Sequence, residues 1–173
     1  MTPSRAAQSV PSAAPSAPVS FGDHFARLFE YDRWANRRVL ETMASLGDRL
    51  PPQPVDRLAH LLICQEMWIR RITGAGEPIT DFFPSWPLAQ TTSRAAEIFA
   101  LMERFIADSS EADLFAEFEY TSGSGGRFRN RRADVLTQLS QHGCYHRGQI
   151  ACELNPLLPE PLTTDYVFYC RQG

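Results

Sequence analysis

The segment from residue 138 to 150 reads QLSQHGCYHRGQI and carries two histidines, His142 and His146, four residues apart. Because 3.6 residues complete a turn of α-helix, side chains four apart lie on one face, one turn from each other. Leu139 and Ile150 continue that face at steps of three and four. The pattern therefore predicts an amphipathic helix whose core-facing stripe includes two imidazoles.

The residues alone leave two interpretations of this histidine pair open. Both side chains can be ordinary core histidines, each satisfied by a hydrogen bond, or both can bind one metal ion. His60 opens a second apolar stretch, HLLICQEMW, and would supply a third nitrogen. Three protein ligands and one open position are typical of a catalytic zinc-type site, whereas structural sites are closed by four. Cys64, one turn after His60, is either a soft fourth ligand or a small buried apolar residue.

Apolar periodicity predicts three further long helices and makes the fold class all-α. We expect the four long helices at about residues 23–46, 55–73, 92–108 and 132–154. Residues 114–130 alternate apolar and polar side chains around a glycine-rich turn, which indicates a short β-hairpin-like excursion before the fourth helix.

The residue pattern also predicts a short last helix and a connecting segment between the second and third helices. We expect a short last helix at residues 163–170, capped by Thr163 or Thr164, with Asp165 in its first turn. The segment from 77 to 90 is rich in proline and aromatic residues. We expect it to pack over one end of the helices as a satellite hydrophobic cluster, or against a second subunit.

Polar residues within the helical patterns are candidates to support or line a site. Asp32 interrupts the apolar stripe of the first helix, and Asn36 follows one turn later. Since a buried polar group is costly unless paired, they either anchor a buried network, line the site or reach solvent at the boundary. Gln149, seven residues after His142, is a candidate contact to a metal ligand or to a substrate. Arg147 faces away from the histidines, and we expect it to form a structural ion pair.

Several chemistries are excluded by what stands near the histidines. A zinc protease of the His-Glu-x-x-His type needs a glutamate where Gly143 stands. A di-iron carboxylate bundle needs Glu-x-x-His pairs, and no glutamate precedes a cluster histidine at that offset. Gly143 and Gly148 each cost about 1 kcal/mol relative to alanine inside a helix, which predicts that another helix packs closely there. No general base is visible, so no catalytic residue is assigned.

Composition bounds the partners and the compartment. The 173 residues include 17 basic and 20 acidic side chains, and the net charge of −3 offers no general attraction to nucleic acid. The sequence contains no apolar stretch of 18–20 residues, so we expect no membrane-spanning helix. Four cysteines without a Cys-x-x-Cys pair or a signal peptide indicate reduced thiols and a cytoplasmic location. Residues 1–20, rich in alanine, proline and serine, predict a disordered tail before one domain at 21–173.

Three motifs carry a resemblance to a known family: YDRWAN at 31–36, His60 with Trp68, and HGCYHRGQ at 142–149. On these the chain resembles the DinB family of metal-dependent four-helix-bundle proteins, over nearly everything from residue 21 to 171. The resemblance implies a bundle with up-down-down-up or similar topology. It also implies His60, His142 and His146 as ligands of one divalent transition metal ion, zinc or nickel first, with iron or copper as the other candidates.

The wider superfamily includes bacillithiol S-transferases and mycothiol-dependent maleylpyruvate isomerases, which are similar bundles. The resemblance therefore implies a metal-dependent transferase or hydrolase acting on a small molecule, with a low-molecular-weight thiol as cosubstrate, in a homodimer. The alternative is a non-catalytic dimeric helical bundle that acts through protein partners and whose metal site is structural or vestigial. Neither reading includes a nucleic acid or a membrane as a partner.

Overall fold

The computed structural model describes residues 19–172, and within that range the chain is mostly helical with one two-stranded sheet. The α-helices are α1 Phe21–Leu46, α2 Pro52–Thr73, α3 Leu88–Ala107, α4 Glu111–Phe115, α5 Arg132–Leu154 and α6 Tyr166–Cys170. Single turns of 3-10 helix follow α1 at Gly47–Arg49 and α5 at Asn155–Leu157. The strands are β1 Glu117–Thr121 and β2 Arg127–Arg131.

The four long helices enclose the core. Both α1 and α2 pack against α3 and against α5. Each contributes a stripe at steps of three and four, such as Ile98, Met102 and Ile106 on α3, all of them buried. Burial of one such side chain contributes about 1.5–3 kcal/mol, so these stripes hold the helices together. As a result, α2 and α5 face each other and bring His60 opposite the α5 histidines.

The helix starts differ from the predicted ones where a local cap or a proline decides them. Ser20 and Asp23 form a reciprocal capping box, which starts α1 at Phe21. Ser20 ends the segment predicted to be a disordered tail, while residues 1–18 lie outside the described range. Helix α2 starts at Pro52 rather than near 55, because a proline in the first turn lacks only an N–H that has no helical partner there.

The prediction of a hairpin before α5 is confirmed. β1 and β2 pair antiparallel, with Glu119 directly opposite Arg129. The Glu119 carboxylate accepts hydrogen bonds from Arg127 and Arg129, which is the cross-strand charge pairing that the sequence pattern indicates. The five-residue helix α4 before the hairpin was not predicted.

The expected start of the last helix is wrong. Helix α6 begins at Tyr166, and Asp165 occupies its N-cap position without a side-chain cap bond. The two threonines lie before the helix, where their carbonyl oxygens accept hydrogen bonds from side chains of α1. Thr163 O accepts from Arg38 Nε at 3.1 Å, and Thr164 O accepts from the Tyr31 hydroxyl at 2.8 Å.

Among the described residues, no helix combines the length and apolarity needed to cross a membrane.

Candidate metal centre

Three histidines meet between α2 and α5. The ring centroids of His142 and His146 are 4.3 Å apart, and that of His60 lies 5.4 Å from the first and 4.9 Å from the second. All three side chains are half-buried. The structure thus brings together the three residues that the sequence singled out, at the surface end of the α2–α5 interface rather than in the apolar core.

The orientation of His146 follows from its neighbours. Its Nδ1 lies 2.9 Å from Gln149 Oε1, and Arg57 Nη1 lies 3.2 Å from the same oxygen. A guanidinium only donates, so the Gln149 atom that faces it must be the carbonyl oxygen. His146 Nδ1 therefore carries the proton, and its Nε2 keeps a lone pair.

The same reasoning applies to His60. Its Nδ1 lies 2.6 Å from the carbonyl oxygen of Phe82, which can only accept. In the neutral ring, Nδ1 therefore donates and Nε2 is left with a lone pair. A backbone carbonyl that fixes the tautomer of an imidazole in this way is a usual companion of metal-binding histidines.

The closest approach within the cluster joins two ring nitrogens. His142 Nε2 lies 3.0 Å from His146 Nε2. Because the His146 nitrogen presents a lone pair, either a proton on His142 Nε2 or a cation between the two rings must satisfy the contact. The arrangement fits a metal ion, and it equally permits a simple hydrogen bond between the imidazoles.

The cluster favours neutral imidazoles. Burial, with the neighbouring His146 and His60, lowers the pKa of His142 to about 4. Burial also lowers the pKa of His146. A group buried away from water loses most in its charged form. Both rings are thus favoured in the neutral form, with one N–H and one free lone pair each, and this is the form that binds a metal ion.

Cys64 adds a second possible donor set. Its Sγ lies 3.8 Å from both ring nitrogens of His60. His60, Cys64 and His142 present ligand atoms within 4.8 Å of one another. Burial raises the pKa of the Cys64 thiol to about 11, against the opposing charge of Arg71, so without a cation the thiol stays protonated. His60 and His142 belong to both sets, whose third member is His146 in one and Cys64 in the other.

Exposed aromatic rings flank the cluster. Phe83 stacks on His60 with centroids 4.4 Å apart and is 76% exposed. Tyr145 meets His146 edge-on and is 64% exposed. The aromatic segment 77–90 therefore contributes to the site through Phe83, whereas the sequence predicted a satellite cluster. Trp86 and Leu88 of the same segment pack against the core.

A second polar cluster lies buried on the other side of α5. Arg147 is 0% exposed and forms an ion pair with Asp32, which confirms the predicted structural pairing. The other Asp32 oxygen accepts from Gln65 Nε2 at 2.7 Å and Asn36 Nδ2 at 3.0 Å, and Asn36 Oδ1 accepts from Arg147 Nη1 at 3.0 Å. Asp32 and Asn36 thus anchor a buried network, and the explanation that they reach solvent is wrong.

Gly143 links the two clusters. A Cβ at this position would lie 2.6 Å from Asp32 Oδ1 and 2.9 Å from Arg147 Nη1. The residue beside His142 is therefore a glycine because the buried ion pair occupies the space of a side chain. The close packing predicted at Gly148 is wrong, since nothing lies within 4 Å of its Cβ position.

The sequence reasoning missed several contacts of the site. Arg57 donates to Gln149 and to Glu153, and its position three residues before His60 places it on the same face of α2. That spacing was the available signal. The contacts of Phe82 and Phe83 had no signal beyond the density of aromatic residues, because they depend on the path of a loop.

Comparisons with known proteins define the class. The model of the DinB superfamily matches residues 47–150, and the chain belongs to this superfamily. The matched range includes the three histidines and Cys64. Protein DinB of Bacillus subtilis (strain 168) is 23% identical over 159 residues, which covers 83% of this chain and 91% of that protein. No solved structure matches the chain significantly.

Proposed function

We propose that the protein binds one divalent transition metal ion through His60, His142 and His146, and that its four long helices form the up-down-down-up bundle that holds this site. The carrying observation is the pair of Nε2 atoms 3.0 Å apart, one of which must present a lone pair. Neutral, pre-oriented imidazoles converging from two helices suit a cation better than they suit a packed core.

The residues around the cluster have assignable roles in this proposal. Arg57 and Gln149 hold His146 with Nε2 directed inward, and the Phe82 carbonyl does the same for His60. Imidazoles accept zinc, nickel, iron or copper, with zinc or nickel proposed first, and Cys64 as a ligand would favour zinc. A divalent ion bound here would lower the pKa of a coordinated thiol or water.

The proposed activity is transfer of a low-molecular-weight thiol to a small electrophile, with hydrolysis as the second reaction type. Membership of the DinB superfamily supports it, together with the half-buried histidines that open beside Phe83 and Tyr145. These rings offer an apolar flank to a small-molecule substrate. We further propose a homodimer in the cytoplasm, where the free thiols of all four cysteines would persist.

The non-catalytic alternative, a dimeric bundle with a structural or vestigial metal site, has less support. Structural metal sites are closed by four protein ligands, and among the His, Cys, Asp and Glu side chains of residues 19–172 Cys64 is the one that joins the histidines in a candidate ligand group. Asp32 and Asn36 take part in the buried network, so they support the site from behind α5 rather than contact a substrate in this proposal.

Metal content tests the proposed function directly. We expect elemental analysis of protein purified without a tag or chelator to find about one equivalent of transition metal per chain. The double variant His142→Ala/His146→Ala should contain almost none. His24→Ala is the matched control, because His24 is exposed at the start of α1 and should leave the content unchanged. Metal-free wild-type protein, even after zinc or nickel is supplied, would exclude the site.

Single variants separate the remaining alternatives. His142→Ala should abolish thiol conjugation to an aryl halide while the melting temperature of the metal-free protein stays within a few degrees. Loss of folding instead would identify a structural site. Comparing metal affinity in His146→Ala with that in Cys64→Ser identifies the third ligand, since only the true ligand should weaken binding strongly.

A further inference from the structure

A cleft of about 660 Å³ lies beside the histidine cluster. Its walls come from the second half of α2, the loop that follows and the hairpin, with Met67, Arg71, Phe82 and Tyr120 among the lining residues. Phe82 joins the cleft to the cluster, because its carbonyl oxygen accepts the hydrogen bond from His60.

One face of α2 runs from the cluster into the cleft. His60, Cys64, Met67 and Arg71 follow one another at steps of four, three and four, so they form a single stripe. At 1.5 Å per residue, Arg71 stands about 16 Å along the helix axis from His60 and about 10 Å from Cys64. A ligand lying along this stripe can reach both ends if it is the size of a small metabolite.

Arg71 is held without a counter-charge. Its guanidinium lies 5.0 Å from the ring centroid of Trp68 and 5.2 Å from that of Tyr120. These contacts hold it by cation–π attraction and leave its donors unused. Within residues 19–172, the contacts of the Arg71 guanidinium are these two rings, and it forms no hydrogen bond and no ion pair there. Burial also works against its charge and lowers its pKa.

The other charged residues of the cleft have partners or stand apart. Arg70 pairs with the buried Glu66, which also binds Arg94, and Arg70 Nη1 donates to the carbonyl of Glu77 at 2.8 Å. Glu119 is neutralised by two hairpin arginines. The Glu77 side chain is exposed at the rim and forms no ion pair with Arg71. Arg71 is thus the available cation of this cleft.

We propose that the cleft is a substrate subsite in which Arg71 binds the carboxylate or phosphate of a small molecule whose reactive end lies at the histidine cluster. A guanidinium matches either anion with two parallel hydrogen bonds. Met67, Phe82 and Tyr120 provide apolar walls for the spacer between the two ends. The position of the reactive end rests on the proposed function, whereas anion binding by Arg71 does not require a metal ion.

Calorimetric titration of the full, metal-free chain tests the subsite with three probes: octanoate, octyl phosphate and octanol. We expect an anionic probe to bind roughly tenfold more tightly than octanol to the wild type, the effect of one charge-assisted contact. Arg71→Met should remove the preference, and Arg71→Lys should keep part of it. Arg104→Met is the control, because Arg104 also stands in the last turn of a helix but is exposed and lies outside the cleft. The two anions distinguish a carboxylate ligand from a phosphate ligand.

Equal affinity of the wild type for the anions and octanol would overturn the subsite, as would a preference that survives in Arg71→Met. Melting curves establish that the variants are folded, and Arg71→Lys retains the charge if the methionine variant is unstable. Metal analysis of the wild-type protein as purified, before its metal is removed for the titration, separates the two proposals. Metal present without anion preference contradicts the subsite alone, whereas anion preference without metal contradicts the proposed metal centre alone.

Discussion

Helix α5 carries two polar clusters on different faces, and their polar atoms find partners in different ways. Arg147 points inward to Asp32, whose two carboxylate oxygens both accept hydrogen bonds within the described structure. The adjacent residue, His146, points to the half-buried cluster, where two ring nitrogens face each other across 3.0 Å. The carboxylate of the first cluster is fully paired, although Arg147 Nε has no hydrogen-bond partner among the described residues, whereas the second cluster has ring nitrogens directed at one another.

The difference separates a structural network from a binding site. A buried ion pair is costly to desolvate and is kept only where its hydrogen bonds are satisfied, so the Asp32–Arg147 network ties α1, α2 and α5 in one arrangement. The histidines instead keep contact with solvent and depend on the surrounding donors for orientation. If this comparison is right, substitutions in the Asp32–Arg147 network should lower the stability of the fold, whereas substitutions around the histidines should lower the affinity for metal.

The largest effect should come from Asp32→Ala. Removing this carboxylate leaves the charge of Arg147 buried and unpaired, and we expect a loss of about 3–5 kcal/mol in the free energy of unfolding. Urea titration followed by circular dichroism measures it. Glu30→Ala is the control, because it breaks an exposed ion pair with Arg33 and should cost under about 1 kcal/mol. A similar small loss in both variants would contradict a structural role for the network.

Gln149→Leu should weaken metal binding rather than stability. We expect the affinity for metal to fall by about 10–100-fold, because His146 loses the acceptor that fixes its tautomer. Arg57→Met should act in the same direction through Gln149. Gln141→Leu, at an exposed position of the same helix, serves as the control. Competition with a chromophoric chelator measures the affinity; no change in Gln149→Leu would show that His146 needs no such support.

The two glycines of α5 sharpen the comparison. Gly143→Ala places a methyl group against the Asp32–Arg147 pair and should destabilise the protein by about 1–3 kcal/mol. Gly148→Ala meets nothing within 4 Å and should stabilise it by about 0.5–1 kcal/mol, since alanine is the better helix former. Thermal melts of the two variants beside the wild type give opposite shifts, and equal shifts would contradict the proposed role of Gly143.

The smallest effect should be a gradual loss of stability of the metal-free protein that begins as the pH falls from 7 to 6 and continues toward pH 4. The pKa of His142 is lowered to about 4 from its ordinary 6.5, so the unfolded chain binds protons that the folded chain does not. The stability associated with the neutral ring is therefore present above pH 6.5 and is lost as the pH falls toward 4. His142→Ala should flatten the curve of melting temperature against pH; an unchanged slope would show that the ring is not shielded.

The sequence predicted most of the helical framework. Hydrophobic periodicity located α5 at Arg132–Leu154, and the alternating residues before it located the hairpin. It also separated the faces of α5, placing His142 and His146 on one side and Arg147 on the other. These features depend on spacing along a single element, so they can be read without knowing what packs against it.

Only the tertiary structure decided which residues from distant parts of the chain meet at each face of this framework. Gly143 has its reason in Asp32, more than a hundred residues away, and the aromatic segment 77–90 lies over His60 rather than in a separate cluster. The position of the Arg71 guanidinium between the rings of Trp68 and Tyr120 likewise depends on a contact between α2 and the hairpin. Periodicity reports which face of an element is buried, whereas the partner at that face is set by the packing of the whole chain.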